Sequence, residues 1–229
     1  MTAWFITATG TDIGKTVLTA ALCRALRAQG APVRALKPVI SGYAQDEMAD
    51  SDSGRILASL GVAPTDAAIA AITPWRFKAP LSPDMAAARE GRVIDFDALV
   101  DFCTPKNKSN GEDIVLIEGV GGAMVPLTDR ETVLDWIVAL RAPALVVAGS
   151  YLGTISHTLT TVAAMRARGA EVAAVVVSES AESPVPLAET AAVLRRFLGG
   201  VPVFTMPRAD TPVVSADLLA LLTKRTTGG

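Results

Sequence analysis

Short apolar runs alternate along the chain with longer segments in which apolar residues recur every three or four positions. Residues 144–148 and 172–177 are almost entirely apolar, and each run is followed by polar residues or Gly. Such runs are typical of strands buried on both faces, whereas the longer segments have helical periodicity. The alternation predicts an α/β fold with a mostly parallel central sheet and helices on both faces.

The same pattern places the individual elements. Strands are predicted at residues 3–7, 33–39, 113–118, 144–149, 172–178 and 201–206. Helices are predicted at residues 15–28, 54–60, 96–102, 132–140, 154–168, 186–198 and 215–223. Four prolines break residues 62–91 into short helical pieces and turns, and residues 105–111 form a polar loop. Since no repeat or linker interrupts the pattern, residues 1–229 are predicted to form a single domain.

Composition and charge argue against two classes of function, membrane association and nucleic-acid binding. Half of the 229 residues are hydrophobic, but no run approaches the ~18 apolar residues of a transmembrane helix, so no membrane association is expected. The net charge is −2 without a basic cluster, which argues against nucleic-acid binding. Residues 1–4 lead at once into the first predicted strand, which is expected to leave no room for a signal peptide. The two cysteines look like reduced thiols. A cytoplasmic enzyme is therefore expected.

A phosphate-binding loop is predicted between the first strand and the first helix, where residues 8–16 read Ala-Thr-Gly-Thr-Asp-Ile-Gly-Lys-Thr. Backbone N–H groups of such a loop bind phosphate, Lys15 would reach the β- and γ-phosphates, and Thr16 would ligate Mg²⁺. Thr9 stands where the usual spacing has its first glycine, so the loop is one residue longer and starts at Ala8. A chance Gly-Lys-Thr turn is the alternative, but the strand–loop–helix context favours a P-loop NTPase-type domain that binds a nucleoside triphosphate.

Two carboxylates are candidate metal ligands beside Thr16. Glu118 ends a buried strand at the sheet edge that carries the phosphate loop, although an ordinary acid at the end of a strand is the alternative. Asp52 precedes a helix, where a helix N-cap is the more common role when the pattern is taken alone.

Two basic residues were weighed in the same way. Lys37, near the end of strand two, could neutralise a transferring phosphoryl group or could be a solvated lysine. A lone histidine, His157, cannot form a metal site, and packing or an interface contact is the better interpretation.

These motifs together resemble those of the dethiobiotin synthetase family. The resemblance spans nearly the whole chain and rests on segments in the family's order and spacing, at residues 9–16, 36–42, 51–52, 77–83, 115–122 and 152–157. It implies ATP-dependent carboxylation and ring closure of 7,8-diaminononanoate with CO₂, giving dethiobiotin, ADP and phosphate in biotin biosynthesis. The implied intermediates are a carbamate and a carbamic-phosphoric mixed anhydride.

The resemblance also implies roles for individual residues. Around the transferring phosphoryl group it implies the catalytic residues Lys15, Lys37 and Thr11. For Mg²⁺ it implies Thr16, Asp52 and Glu118. For the nucleotide it implies Asp12, Ile13, Gly14, Lys15, Thr16, Val17, Asp52, Glu118, Gly119, Val120, Gly121, Ser178, Glu179, Pro207, Arg208 and Ala209. For the substrate it implies Ser41, together with Thr154 and Ser156 at a helix start that would hold the substrate carboxylate in a homodimer.

Several positions depart from the family's pattern. Asp12 stands where Glu is familiar, Gly10 replaces a frequent Asp, and Asp84 stands where His is common. Ser178 and Glu179 stand where many members have Asn-Asp against the adenine. Because a serine cannot pair with adenine through both a donor and an acceptor, looser base selectivity is expected.

Three other functions were weighed. A cobyrinate or cobyrate amidase of the same fold would need a glutaminase domain, for which the 229 residues leave no room. A partition- or scaffold-type switch ATPase usually has a second lysine early in the loop, where this chain has Gly10. A catalytically dead relative would not be expected to keep Lys15, Thr16, Lys37, Asp52 and Glu118 together.

Overall fold

The computed structural model describes residues 2–105 and 113–224. Its strands are β1 (Thr2–Ala8), β2 (Val33–Leu36), β3 (Val39–Ser41), β4 (Trp75–Phe77), β5 (Ile114–Glu118), β6 (Ala144–Ala148), β7 (Val172–Ser178) and β8 (Val203–Met206). Six of them form one parallel sheet in the order β2-β5-β1-β6-β7-β8, and β3 pairs with β4 in a small second sheet. The mostly parallel α/β fold predicted from the sequence is confirmed.

Helices cover both faces of the large sheet. They are α1 (Lys15–Ala28), α2 (Asp52–Ser59), α3 (Asp66–Ile72), α4 (Pro83–Arg89), α5 (Phe96–Cys103), α6 (Val133–Leu140), α7 (Thr154–Ala167), α8 (Leu187–Phe197) and α9 (Ala216–Lys224). Successive side chains of β1 point to opposite faces. Trp4 packs in one core cluster with Leu22 of α1 and Leu218 of α9. Phe5 packs in the other, edge-to-face on Trp136 of α6 with ring centroids 4.8 Å apart.

The second predicted strand, residues 33–39, is wrong as one continuous strand. β2 ends at Leu36, and the chain then leaves the large sheet, because Pro38 has no N–H to donate and the Lys37 N–H donates to the Ile72 carbonyl at 3.1 Å. β3 begins at Val39 and pairs with β4. The sequence did not predict β4, which is three residues long and lies in the proline-rich region.

The helix predicted at residues 54–60 begins two residues earlier. Ser51 is its N-cap, with its hydroxyl accepting a hydrogen bond from the Gly54 N–H at 3.1 Å, and Asp52 is the first helical residue. The capping role weighed for Asp52 is therefore wrong, and its carboxylate is free for other contacts. The loop predicted at residues 105–111 lies outside the described residues apart from Pro105.

Both cysteines are free and lie in the core. Burial raises the pKa of the Cys23 thiol to about 11 and raises that of Cys103 further, so both are protonated near neutral pH. Among residues 2–105 and 113–224, no helix is both long and apolar enough to cross a membrane.

Helix α6 begins with a capping box. The Thr132 hydroxyl accepts from the Asp135 N–H, and the Asp135 carboxylate accepts from the Thr132 N–H at 2.8 Å. We expect Thr132→Ala to lower the free energy of unfolding by about 1 kcal/mol, which corresponds to a fall in Tm of about 2–4 °C. Chemical denaturation measures the change.

Thr160→Ala is the matched control, because Thr160 is exposed in the interior of α7. Since it removes no cap, this substitution should change stability by less than about 0.5 kcal/mol. Equal losses from the two substitutions would contradict a stabilising role for the capping box.

Candidate active site

The loop after β1 has the shape of a phosphate cradle. The Thr9 N–H continues the sheet by donating to the Val147 carbonyl at 3.0 Å, and the chain then turns through left-handed conformations at Asp12 (φ 57°) and Gly14 (φ 105°). Helix α1 starts directly afterwards, so its free N–H groups face the loop. The Lys15 ammonium donates to the Gly10 carbonyl at 3.3 Å, which places its charge over the loop. This arrangement favours a bound anion.

A glycine-rich segment after β5 forms a second wall against the phosphate loop. The Ala123 N–H donates to the Ala8 carbonyl at 3.1 Å, and a Cβ on Gly122 would lie 3.2 Å from Cα of Gly10. A Cβ on Gly119 would lie 2.9 Å from the ring of Phe5. The missing side chains therefore let two backbone segments approach each other beside the site.

Lys37 joins the predicted metal ligands into one cluster. Its ammonium lies 2.8 Å from Oε1 of Glu118, 2.8 Å from the Gly119 carbonyl and 3.2 Å from Oδ2 of Asp52. The Thr16 hydroxyl donates to the same Oε1 of Glu118 at 2.7 Å. Lys37 and Glu118 are almost completely buried, so the solvated role weighed for Lys37 is wrong. Residues far apart in the sequence thus meet at one edge of the sheet.

The charges in this cluster shift one another's pKa values. Burial alone would lower the pKa of Lys37, but Glu118 and Asp52 together raise it above its usual value. Burial would likewise raise the pKa of Asp52, but the charge of Lys37 holds it below the usual value. For Lys15, burial and the nearby charge of Lys37 lower the pKa to about 8. The shifts of Lys37 and Asp52 are those of oppositely charged ions that stabilise each other, whereas the shift of Lys15 reflects burial beside a like charge.

The cluster fits a hard divalent cation. Oε2 of Glu118 is buried and has no hydrogen-bond partner within the described part of the chain, so this carboxylate oxygen can accept a cation. Across residues 2–105 and 113–224, no group of three or more His, Cys, Asp or Glu side chains is placed so that it could hold a metal ion. A site made from Thr16, Asp52 and Glu118 would therefore need phosphate oxygens and water to complete its coordination, as is usual for Mg²⁺.

A cavity of about 700 Å³ opens between the phosphate loop and α2. The predicted site residues that line it are Thr11, Asp12, Ile13, Gly14, Lys15, Thr16, Val17, Lys37, Ser41, Asp52, Val120 and Gly121. The Ser41 hydroxyl is a buried atom with no hydrogen-bond partner among the described residues, so it is available to a ligand. Glu118 and Gly119 lie buried beneath this cavity.

Sequence reasoning missed Arg55, which lines the first cavity, and it singled out residues 77–83 without giving a site role to Pro80–Pro83, which also line it. Arg55 follows Asp52 by three positions in α2, and this spacing places both on one helix face. That signal could have identified Arg55 once α2 was known to begin at Asp52.

A second cavity of about 670 Å³ contains the residues predicted for the nucleotide base. These residues are Ser178, Glu179, Pro207, Arg208 and Ala209. The Glu179 carboxylate accepts from the Arg208 N–H at 2.9 Å and so joins the two segments. Asp12, Ile13, Gly14 and Val17 line both cavities, so the two lie on either side of the phosphate loop. Sequence reasoning missed the contributions of Tyr151, Ser180, Glu182 and Asp210.

The predicted carboxylate anchor at the start of α7 lies outside both cavities. Thr154 is buried and its hydroxyl donates to the Gly149 carbonyl at 2.8 Å, whereas Ser156 is exposed. His157 is exposed, and its Nδ1 lies 2.9 Å from the Tyr151 hydroxyl. Asp84 also lies outside both cavities, and its buried Oδ1 has no hydrogen-bond partner within the described residues.

Comparisons with known proteins identify the family to which the chain is similar. The model of a family described as "AAA domain" matches residues 2–206. An ATP-dependent dethiobiotin synthetase BioD of Acidiphilium cryptum is 52% identical over 203 residues, covering 88% of this chain and 91% of its own. The enzyme of the same name from Caulobacter sp. strain K31 is 47% identical over 232 residues, covering 100% of this chain and 99% of its own.

Among solved structures, the MinC:MinD cell division protein complex of Aquifex aeolicus contains a similar chain. The TM-score is 0.54 at 15% identity, covering 98% of this chain and 86% of that one. At this identity the likeness concerns the fold alone, which is that of the P-loop NTPases.

Proposed function

The chain belongs to the ATP-dependent dethiobiotin synthetase family, and we propose that its two cavities hold ATP and 7,8-diaminononanoate on either side of the phosphate loop. It is an ATP-dependent ligase that forms dethiobiotin in biotin biosynthesis. The observation that carries the site assignment is that Lys15 and Lys37 reach the same cavity. A carbamate and a triphosphate repel each other, and two lysines at their meeting point offset that repulsion.

The proposed first step forms the mixed anhydride. One amine of the substrate takes up CO₂ as a carbamate, and a carbamate oxygen attacks the γ-phosphorus. The bond from that phosphorus to the β–γ bridging oxygen breaks, and ADP leaves with the electron pair. Lys15 would hold the γ-phosphate, Lys37 would neutralise charge on the transferring group, and Thr11 would donate a hydrogen bond to it.

The proposed second step closes the ring. The other amine attacks the carbonyl carbon and loses a proton, the bond from that carbon to the bridging oxygen breaks, and phosphate leaves with this oxygen. The unpartnered Ser41 hydroxyl would contact the diamine or its carbamate. Both steps depend on positioning and charge stabilisation, and no covalent enzyme intermediate is needed.

A divalent cation, proposed to be Mg²⁺, would be held by Thr16, Asp52 and Glu118. When bound, such an ion neutralises charge on the phosphate oxygens. The proposal is supported by the free Oε2 of Glu118 and by the distance of 2.7 Å that joins Thr16 to this carboxylate. The residues proposed to position the phosphates are Asp12, Ile13, Gly14, Val17, Gly119, Val120 and Gly121.

Isotopic labelling with ¹⁸O tests whether the mixed anhydride forms. We expect ¹⁸O from labelled bicarbonate to appear in the released phosphate at short reaction times, because the phosphate departs with one carbamate oxygen. Mass spectrometry of the phosphate and of dethiobiotin measures the label. Unlabelled phosphate, released together with dethiobiotin from labelled bicarbonate, would contradict a mixed anhydride.

The second cavity is proposed to hold the nucleotide base among Ser178, Glu179, Pro207, Arg208 and Ala209. A hydroxyl cannot present a donor and an acceptor on two separate atoms as an amide does. We therefore expect the values of kcat/KM for ATP, CTP, GTP and UTP to agree within about tenfold, which corresponds to a difference of about 1.4 kcal/mol in free energy. Steady-state assays with each nucleotide measure this spread.

Two variants at position 178 test whether Ser178 determines the base selectivity. Ser178→Asn should increase the preference for ATP, because it introduces both hydrogen-bonding groups, whereas Ser178→Ala should not. Strong preference for ATP in the unaltered chain, kept in Ser178→Ala, would refute the assignment of selectivity to this residue.

Assembly, location and domain organisation are also part of the proposal. A homodimer in which Thr154 and Ser156 hold the substrate carboxylate is supported by the start of α7, where Gly153 at the N-cap offers no capping side chain, and by the exposed Leu152 and Met124. A cytoplasmic location is supported by two free, buried cysteines. One domain over residues 1–229 is supported by the packing of both core clusters on a single large sheet.

The switch-ATPase alternative is not favoured. The relatives that share about half of their residues with this chain are named as synthetases, whereas the likeness to the MinC:MinD complex concerns the fold alone. A cavity that places Ser41 and Lys37 beside the phosphate loop also suits a small substrate.

A further inference from the structure

We propose that Lys37 is a built-in counter-ion of the metal site. The site then binds a divalent cation tightly only when the phosphates of a nucleotide draw the Lys37 ammonium away from Asp52 and Glu118. This inference rests on the proposed function, which assigns these two carboxylates to a divalent cation. It adds a coupling between nucleotide and metal, so that the two load together.

The first support is that the Lys37 ammonium already pairs with both carboxylates that the ion needs. The Lys37 ammonium lies 2.8 Å from Oε1 of Glu118 and 3.2 Å from Oδ2 of Asp52, and it also donates to the Gly119 carbonyl. A divalent ion bound to both carboxylates would lie within a few ångströms of this ammonium. Like charges at that distance repel strongly in a buried site. The ion and the ammonium in its present position therefore exclude each other.

The second support is the charge balance of the cluster. Lys15 and Lys37 carry two positive charges, and Asp52 and Glu118 carry two negative ones. Three of these side chains are buried, and Asp52 is about half exposed. A lone divalent cation would add two positive charges to a cluster that is already balanced, and burying uncompensated charge is costly. The phosphates of a nucleotide supply the missing negative charge.

The third support is that the Lys37 side chain can move within the cavity that it lines. Lys37 lines the cavity that also contains Lys15 and the phosphate loop. Its four-carbon stem is flexible, so the ammonium can turn towards phosphate oxygens without movement of the backbone. Oε2 of Glu118, which has no hydrogen-bond partner within the described residues, gives the incoming ion a first ligand.

Removing the ammonium should therefore create a site that binds metal without nucleotide. We expect Lys37→Met to bind Mn²⁺ at least about tenfold more tightly than the unaltered chain in nucleotide-free buffer, because about 1.4 kcal/mol of repulsion suffices for that ratio. Electron paramagnetic resonance of free Mn²⁺ measures both affinities. If Lys37→Met and the unaltered chain bound Mn²⁺ with equal affinity, whether weak or tight, the proposal would be overturned.

A second variant identifies where the ion binds. Adding Glu118→Gln to Lys37→Met should abolish the gain in Mn²⁺ affinity, because the amide no longer offers a charged ligand. A gain that survives in the double variant would place the ion elsewhere and overturn the proposal.

Lys37→Met can destabilise the fold, because it leaves Glu118 buried and unpaired. Thermal unfolding with and without Mn²⁺ remains informative in that case. Mn²⁺ should raise the Tm of Lys37→Met and of Lys37→Gln by several degrees more than that of the unaltered chain. If Mn²⁺ stabilised neither variant beyond the unaltered chain, the proposal would fail. None of these measurements uses the diamine or depends on turnover. Their outcome therefore tests the counter-ion role of Lys37 independently of the proposed reaction.

Discussion

Replacing Lys37 by Gln is expected to lower kcat by at least about 100-fold, which is the usual loss when one electrostatic contact to a transition state is removed. The expectation follows from the position of the ammonium, which is buried beside the phosphate loop and faces the cavity that contains Ser41. Nucleotide affinity should change little, because Lys15 and the loop N–H groups remain, and because any contact of Lys37 with phosphate replaces its ion pairs with Asp52 and Glu118. Steady-state kinetics give kcat, and fluorescence titration with an ATP analogue gives the affinity.

Lys78→Gln is the matched control for this substitution, because Lys78 is an exposed lysine that lines neither cavity. It should keep a kcat within about twofold of the unaltered chain, as expected for a surface substitution away from the site. Circular dichroism checks that Lys37→Gln is folded, since removing one member of a buried ion pair can cost about 3–5 kcal/mol. Near-normal turnover by folded Lys37→Gln would show that this lysine does not act on the phosphoryl group.

Gly14→Ala is expected to weaken nucleotide binding by at least about fivefold, because a backbone conformation that alanine avoids costs on the order of 1–3 kcal/mol. Gly14 has φ 105°, and an added Cβ would lie 2.6 Å from the hydroxyl oxygen of Ser178. The Ser178 hydroxyl can rotate away from this Cβ, but the positive φ strains alanine, and relief of that strain moves the backbone that carries the cradle into α1. Titration with an ATP analogue measures the loss.

Gly10→Ala is a control in the same loop with the same chemical change. A Cβ on Gly10 would meet nothing closer than Ile13 at 3.7 Å, and Gly10 does not have a left-handed φ. Its nucleotide affinity should stay within about threefold of the unaltered chain, since the added contact is ordinary. Equal affinities of the Gly14→Ala and Gly10→Ala variants would contradict the assignment of the phosphate cradle to the Gly14 conformation.

The sequence predicted most elements of the large sheet because local signals were strong there. Helix α1 runs from Lys15 to Ala28 as predicted, since Gly14 precedes an alanine- and leucine-rich segment and Gly30 follows it. The small sheet was missed because β3 and β4 are each three residues long, which is too short for an alternating pattern to stand out. Strand two was predicted too long because the local signal of Pro38 was not given enough weight, and because the bond from the Lys37 N–H to Ile72 depends on tertiary structure.

The candidate site shows a similar division between local and long-range information. The phosphate loop could be predicted because its residues are contiguous and lie between a strand and a helix. The contact of Lys37 with Glu118 could not be predicted, because it spans 81 positions and depends on how β2 and β5 pair. Asp52 was ambiguous for a different reason: Ser51 and Asp52 are both good caps, and only the geometry shows that Ser51 caps α2.

The base cavity also depended on tertiary structure. Ser178 and Arg208 were placed by resemblance, but the contact of the Arg208 N–H with Glu179 joins segments 29 positions apart. Tyr151 was missed because it follows a different strand, β6, and reaches this cavity only through the order of strands in the sheet.

The most direct test of the central claim is phosphate release from ATP and Mg²⁺ with bicarbonate, measured with and without 7,8-diaminononanoate. We expect release to depend on the diamine and dethiobiotin to appear in equal amount by mass spectrometry. Phosphate release that proceeds without the diamine and is unchanged by adding it, with no dethiobiotin formed, would contradict the synthetase account and favour a switch ATPase.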